Sequence, residues 1–92
     1  MLFRSGGLLC WNVSNVVYMN YMFNGATSYN GDLSSWNVSN VVRMIYMFAD
    51  ATSFDRQLDG AWATSTAHKR RMFLNSPGTI AGKTKDAEGT IE

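Results

Sequence analysis

Residues 11–35, WNVSNVVYMNYMFNGATSYNGDLSS, and 36–60, WNVSNVVRMIYMFADATSFDRQLDG, are one 25-residue unit written twice, identical at fifteen of the twenty-five positions. A fixed period of this length constrains the architecture more than any motif does. Each unit becomes one layer that buries its apolar side only against its neighbours, and about three layers are the usual minimum for stability. A third, damaged copy follows. It starts at Trp62, one residue late, and regains register at Met72 and Phe73, with ATSTAHKRR at 63–71 in place of the VSNVV pattern.

Within a unit the apolar residues change period. Trp36 and Val38 alternate with Asn37 and Ser39, as in a short extended segment. Val41, Met44, Met47, Phe48 and Ala51 then fall at steps of three, three, one and three, one face of a short helix, and Val16, Met19, Met22, Phe23 and Ala26 repeat the spacing. Ser39 or Asn40, like Ser14 or Asn15, stands where a helix N-cap is wanted. Tyr29 or Phe54 and Leu33 or Leu58 anchor the return loop in the core. The expectation is an α/β solenoid of about two intact strand-plus-short-helix coils and a degenerate third.

The corresponding organisation is a cap or truncated preceding repeat at 1–10, repeats at 11–35 and 36–60, a degenerate repeat or cap at 61–73, and a disordered tail at 74–92. The tail expectation rests on composition: NSPGTIAGKTKDAEGTIE is Gly, Thr, Ser and charge with almost no apolar content. The damaged third unit is expected not to bury a face as the first two do.

The string W-N-V-S-N-V-V-x-M-x-Y-M-F-x-x-A-T-S-[YF], carried at 11–29 and 36–54, resembles the repeat of the BspA-like leucine-rich-repeat surface proteins. The match covers 11–60 well, 61–73 poorly and the tail not at all. The resemblance implies a leucine-rich-repeat-like solenoid, an extracellular or cell-surface setting, adhesion or recognition as the work, and no enzymatic activity in the repeat. It also implies long arrays, so the natural neighbours of these units are further repeats.

Net charge is +1 and the pI about 7.9, which points away from nucleic acid and anionic membrane surfaces as partners. Charge is nonetheless unevenly placed. Residues 11–60 carry Asp32, Asp50, Asp55 and Asp59 against Arg43 and Arg56, whereas 61–92 carry five Lys or Arg against three acids. No stretch approaches the roughly 18 consecutive apolar residues of a membrane span. MLFRSGGLLCW lacks the hydrophobic region and cleavage site of an export signal, and Leu9 before Cys10 is too large for a lipoprotein signal. Cys10 has no intrachain disulfide partner, and is expected to act as a small buried residue.

No catalytic constellation or cofactor site emerges, and the expectation is a non-catalytic module that binds a protein or glycan ligand. The other reading is a fragment or decayed repeat protein without independent function. Gly82-Lys83-Thr84 fails as a phosphate loop, because Pro77 stands where the first glycine is needed. His68, the single histidine, makes neither a zinc site nor a Cys/His pair. His68-Lys69-Arg70-Arg71 reads as a solvated capping face, with contact to an acidic partner as the alternative. Asn12-Val13-Ser14 and Asn37-Val38-Ser39 have the form of glycosylation sequons, but the repeat forces them to recur. Their alternation with core Trp and Val places them in rows along a strand-lined face. The candidate binding residues are therefore Asn12, Ser14, Asn37 and Ser39, flanked by Tyr18 and Arg43. Tyr18 and Arg43 belong to the pairs that differ between the copies, together with Asn20 and Ile45, Gly25 and Asp50, Asn30 and Asp55, and Gly31 and Arg56.

Overall fold

The three-residue spacing along Val41, Met44, Met47, Phe48 and Ala51 is built from turns, not from a helix. In the computed structural model, which describes residues 12–91, backbone N–H groups alternate between two destinations. Met47, Ala49 and Ala51 donate three residues back, to Met44, Tyr46 and Phe48 at 3.1–3.2 Å. Met44, Tyr46, Phe48 and Asp50 donate instead to His68, Arg70, Met72 and Leu74 of the following unit, at 2.7–3.1 Å. A helix would send every one of these N–H groups four residues back. The backbone also passes through the left-handed region at Tyr46 (φ 58°) and Asp50 (φ 59°), which breaks any right-handed helix. The first unit does the same at Tyr21 (φ 61°) and Gly25 (φ 74°), and the third at Arg71 (φ 51°) and Asn75 (φ 58°). Turns that each close three residues back, alternating with bonds to the next unit, bury Val41, Met44, Met47, Phe48 and Ala51, and so imitate a helical stripe.

This overturns the expected α/β solenoid. Regular structure among the described residues is limited to β1 (Gln57–Leu58), α1 (Ala61–Thr64) and β2 (Thr79–Ile80). β1 and β2 pair in parallel, Gln57 opposite Thr79 and Leu58 opposite Ile80. Ser39, Asn40, Ser14 and Asn15 cap no helix, because none follows them. The molecule measures 31 × 26 × 20 Å with a Cα radius of gyration of 11.7 Å, a small globule with no extended axis.

The repeat nevertheless sets the register inside the globule. Isolated parallel bridges join Tyr18 to Arg43 and Arg43 to His68. Buried side chains consequently stack in columns one repeat apart. Phe23, Phe48 and Phe73 lie ring on ring at 5.2 and 5.4 Å, with planes within 5° of parallel. Trp36 and Trp62 stack at 6.5 Å, and the Trp62 indole N–H donates to the Leu33 carbonyl at 3.0 Å. The spacing follows the roughly 4.8 Å separation of paired strands, so a ring above each ring fills each layer gap. Trp36, Val38, Leu33, Leu58, Tyr29 and Phe54 are all buried, as the sequence pattern predicts.

Residues 61–73 differ from the expectation of a failed layer. The late start at Trp62 is absorbed by the single turn of α1, and from His68 on the unit runs in step with the second. Trp62, Ala67, Met72 and Phe73 are buried. Lys69, which stands where the first units have Met19 and Met44, is buried as well, its ammonium donating to the Ser65 and Ala67 carbonyls at 2.8 and 3.1 Å.

The tail differs too. From Leu74 to Ile91 the chain packs back onto the third layer instead of standing free. Ile80 and Ile91 are buried, the Phe73 N–H donates to Gly89 at 3.0 Å, and the Arg71 N–H donates to Thr90 Oγ1 at 2.9 Å. Lys85 braces the segment internally, donating to the carbonyls of Ser76 and Gly78 at 2.7 and 2.8 Å. Gly78 sits so close to Phe54 and Phe73 that a β-carbon there would meet both rings. The expected cap at 1–10, with Cys10 and also Trp11, lies outside the described residues.

Candidate interaction face

The sequence-derived candidates divide into two groups with different fates. Asn12 and Asn37 turn their side chains onto their own backbone. Asn37 Oδ1 accepts from the Ser39 N–H at 3.1 Å and from its hydroxyl at 2.6 Å, and Asn12 Oδ1 accepts from Ser14 in the same way at 3.0 and 2.6 Å. These are Asx turns, in which a short polar side chain fixes the start of the following turn. Asn40 adds an inter-repeat bond from Nδ2 to the Ser14 carbonyl at 2.7 Å. The recurrence of N-V-S-N therefore has a structural cause, although all four side chains remain at or near the surface.

Tyr18 and Arg43 are brought together. They occupy one column of the parallel bridges, the Arg43 guanidinium lies 5.8 Å from the Tyr18 ring centroid, and His68 continues the column in the third unit. A second column, absent from the candidates, starts three residues further on. Tyr21 stacks on Tyr46 with ring centroids 5.1 Å apart and planes 5° from parallel. Arg71 then donates from Nη1 to the Tyr46 hydroxyl at 2.8 Å, with its guanidinium 6.0 Å from the Tyr46 ring. That hydroxyl, reinforced by Glu88, raises the proton affinity of Arg71 further above its ordinary value. The Arg71–Glu88 ion pair spans 3.3 Å at the surface.

Tyr21, Tyr46 and Arg71 all hold left-handed backbone, a conformation that costs a bulky L-residue on the order of 1 kcal/mol. It rules these side chains out of the buried stripe and aims them away from it. Sequence reasoning missed them because Tyr21 and Tyr46 are identical in the two copies, while the search for ligand-reading positions looked at the pairs that differ. The signal was their place outside the apolar spacing despite being aromatic in both units.

Several differing pairs touch each other across the repeat boundary. Asn20 Oδ1 accepts from the Ile45 N–H at 2.9 Å, and Asn30 Oδ1 accepts from the Asp55 N–H at 2.8 Å. Arg56 donates to the Asn30 carbonyl at 3.0 and 3.1 Å. Gly25, Asp50 and Asn75 share a left-handed backbone, which glycine, aspartate and asparagine tolerate best. At Gly31 a β-carbon would run into the hydroxyl and ring carbons of Tyr29.

The apolar surface collects around the two columns. Val17, Tyr18, Tyr21 and Val42 are 42–61% exposed. Arg43, Arg70 and Arg71 sit on the same stretch of the second and third units, whereas Asp32, Asp50, Asp55 and Asp59 fall in the return segments. Hydrogen bonds from the Ser34 N–H and hydroxyl, with help from Arg56, hold the Asp32 carboxyl below its ordinary 3.8. Among the described residues no three His, Cys, Asp or Glu side chains are placed to hold a metal ion, and no helix is long and apolar enough to cross a membrane.

A family model described as a Mycoplasma protein of unknown function, DUF285, matches residues 2–84. The chain belongs to the DUF285 family. The match spans both full units, the third unit and most of the tail, so the DUF285 region extends beyond the part that the repeat pattern alone marks out. No curated protein and no solved structure matches the chain.

Proposed function

We propose that this DUF285 chain is a non-catalytic repeat module for protein or surface-ligand interaction, and that its working face is the pair of columns Tyr18–Arg43–His68 and Tyr21–Tyr46–Arg71. The observation that carries this reading is the exposure of four large apolar side chains, Val17, Tyr18, Tyr21 and Val42, beside those columns. Exposed aromatics interleaved with arginine are the residue types that dominate binding interfaces. Their backbones are fixed by inter-repeat hydrogen bonds, so little ordering cost accompanies binding.

We further propose, on the residue pattern W-N-V-S-N-V-V, an affiliation with the BspA-like surface proteins and an extracellular or cell-surface setting. The ligand class that fits is a protein or a glycan, since tyrosine rings offer flat faces to either.

The test is a binding screen of labelled protein on immobilised matrix proteins and glycans, comparing wild type with Tyr18→Ala, Tyr21→Ala and Arg43→Glu. The reading expects specific hits that these substitutions abolish while Asn12→Ala leaves them intact. Hits insensitive to all three face substitutions, or no hits, would end it.

A further inference from the structure

The chain has two Asn-Gly pairs, Asn24-Gly25 and Asn30-Gly31, and the fold treats them oppositely. In such a pair the glycine nitrogen can attack the asparagine side-chain amide, because no β-carbon shields it. Both asparagines are exposed. The Gly25 N–H, however, donates to the Ala49 carbonyl of the next unit at 2.9 Å. The Gly31 N–H makes no hydrogen bond among the described residues.

Asn30 is also held by the next unit at both of its carbonyl oxygens. The Asp55 N–H donates to Oδ1 at 2.8 Å, and Arg56 donates to the backbone carbonyl from Nε and Nη2 at 3.1 and 3.0 Å. That carbonyl and the Gly31 nitrogen belong to one peptide group. Loss of the Gly31 proton puts negative charge on this oxygen, where the guanidinium stabilises it. Attack on the side chain puts negative charge on Oδ1, where the Asp55 N–H stands. Asn24 has neither donor among the described residues.

We propose that Asn30 is a self-modification site, converted from amide to carboxylate by the Gly31 nitrogen with water as the one co-reactant. The Gly31 nitrogen gives its proton to solvent base and bonds to Asn30 Cγ. The Cγ–Nδ2 bond then breaks, and Nδ2 leaves as ammonia with a proton returned from solvent. Water opens the resulting five-membered imide at Cγ, giving aspartate, or at the backbone carbonyl, giving isoaspartate. The register already accepts an acid here, because Asp55 is the equivalent residue one repeat on. The site uses none of the tyrosine-column residues, so it stands or falls separately from the reading above.

Peptide mass mapping of the full folded chain after incubation in mildly alkaline buffer tests it, with digestion at acidic pH so that conversion stops. The expected result is the mass gain of an amide-to-acid change at Asn30, with Asn24 converting at least about tenfold more slowly because the Gly25 N–H must first leave Ala49. In urea the two pairs are expected to convert alike. Arg56→Gln is expected to slow Asn30 roughly tenfold in the folded chain and not in urea, and Arg56→Lys to recover part of that rate. Equal rates at Asn24 and Asn30 in the folded chain, or an Asn30 that stays an amide there while converting in urea, overturn the proposal. A folded-state rate indifferent to Arg56→Gln overturns the part given to Arg56.

Discussion

Val42 donates its backbone N–H to the carbonyl of Val17, one repeat earlier, at 2.7 Å, and His68 repeats the bond to Val42 at 3.0 Å. The 25-residue period is thus a hydrogen-bonding register as well as a sequence pattern. The same offset places Phe48 between Phe23 and Phe73, and Tyr46 between Tyr21 and Arg71. One column is buried and holds the globule together. The other lies at the surface, with Tyr21 exposed and Tyr46 and Arg71 half-buried.

Phe48 is the central side chain of the core, fully buried and in ring contact with Phe23, Phe54, Phe73 and Trp62. Phe48→Ala is expected to cost about 3–5 kcal/mol, which approaches the whole stability of a small domain. In urea titration the variant loses most of its folded baseline, while the exposed Thr52→Ala stays within about 0.5 kcal/mol of wild type.

Gly89 locks the tail to the third layer. It holds φ at 79°, and a β-carbon there would run into the backbone of Phe73 and Leu74. Gly89→Ala is expected to destabilise by more than about 1 kcal/mol, to speed exchange of the Phe73 amide, and to expose residues beyond Leu74 to limited proteolysis. Wild-type protein is expected to resist cleavage there.

Asn37 and Tyr18 are expected to separate stability from binding. Asn37→Ala removes two turn-fixing bonds and lowers stability by about 1 kcal/mol, with ligand binding retained by the protein that remains folded. Tyr18→Ala, at an exposed site, changes stability by less than about 0.5 kcal/mol. Thermal melts and the binding screen together read both effects.

Lys69 carries a pH signature. Burial, aided by the charge of Lys83, lowers its pKa from 10.5 in the folded chain. Between the folded and unfolded values the unfolded chain binds more protons, so stability from this group rises with pH up to about 10.5 and falls as pH drops through the folded value. Burial shifts Lys85 in the same direction, and it raises Tyr29 above 10.0, which works against stability above that pH. Both are common to wild type and Lys69→Met. The melting-temperature difference between the two proteins is therefore expected to move in favour of wild type as pH is raised from 8 toward 10.5. A pH-independent difference contradicts the assignment.

The core was legible in the sequence because burial recurs with the repeat: Trp36, Val38, Met44, Met47, Phe48 and Phe54 are all inside. The backbone that carries them was not. A run of turns that each span three residues and a helix of 3.6 residues per turn can bury the same short apolar set. What distinguishes them is the left-handed conformation at Tyr21 and Tyr46, residue types that give no local signal for it. The tail was misjudged for a different reason. Its composition is too polar to build a core, but Ile80, Ile91 and the bonds from the Phe73 and Arg71 N–H groups to Gly89 and Thr90 suffice to dock it on a core already formed. Of the interaction face, Tyr18 and Arg43 were visible as differences between copies, whereas Tyr21 and Tyr46 were hidden by their identity.

The most direct measurement is NMR detection of scalar couplings across the inter-repeat hydrogen bonds. Couplings are predicted from the Val42 amide nitrogen to the Val17 carbonyl carbon, from His68 to Val42, and from Met19 to Arg43. Amides of residues 41–51 coupled instead to carbonyls four residues earlier would mean helical coils, and would contradict the account.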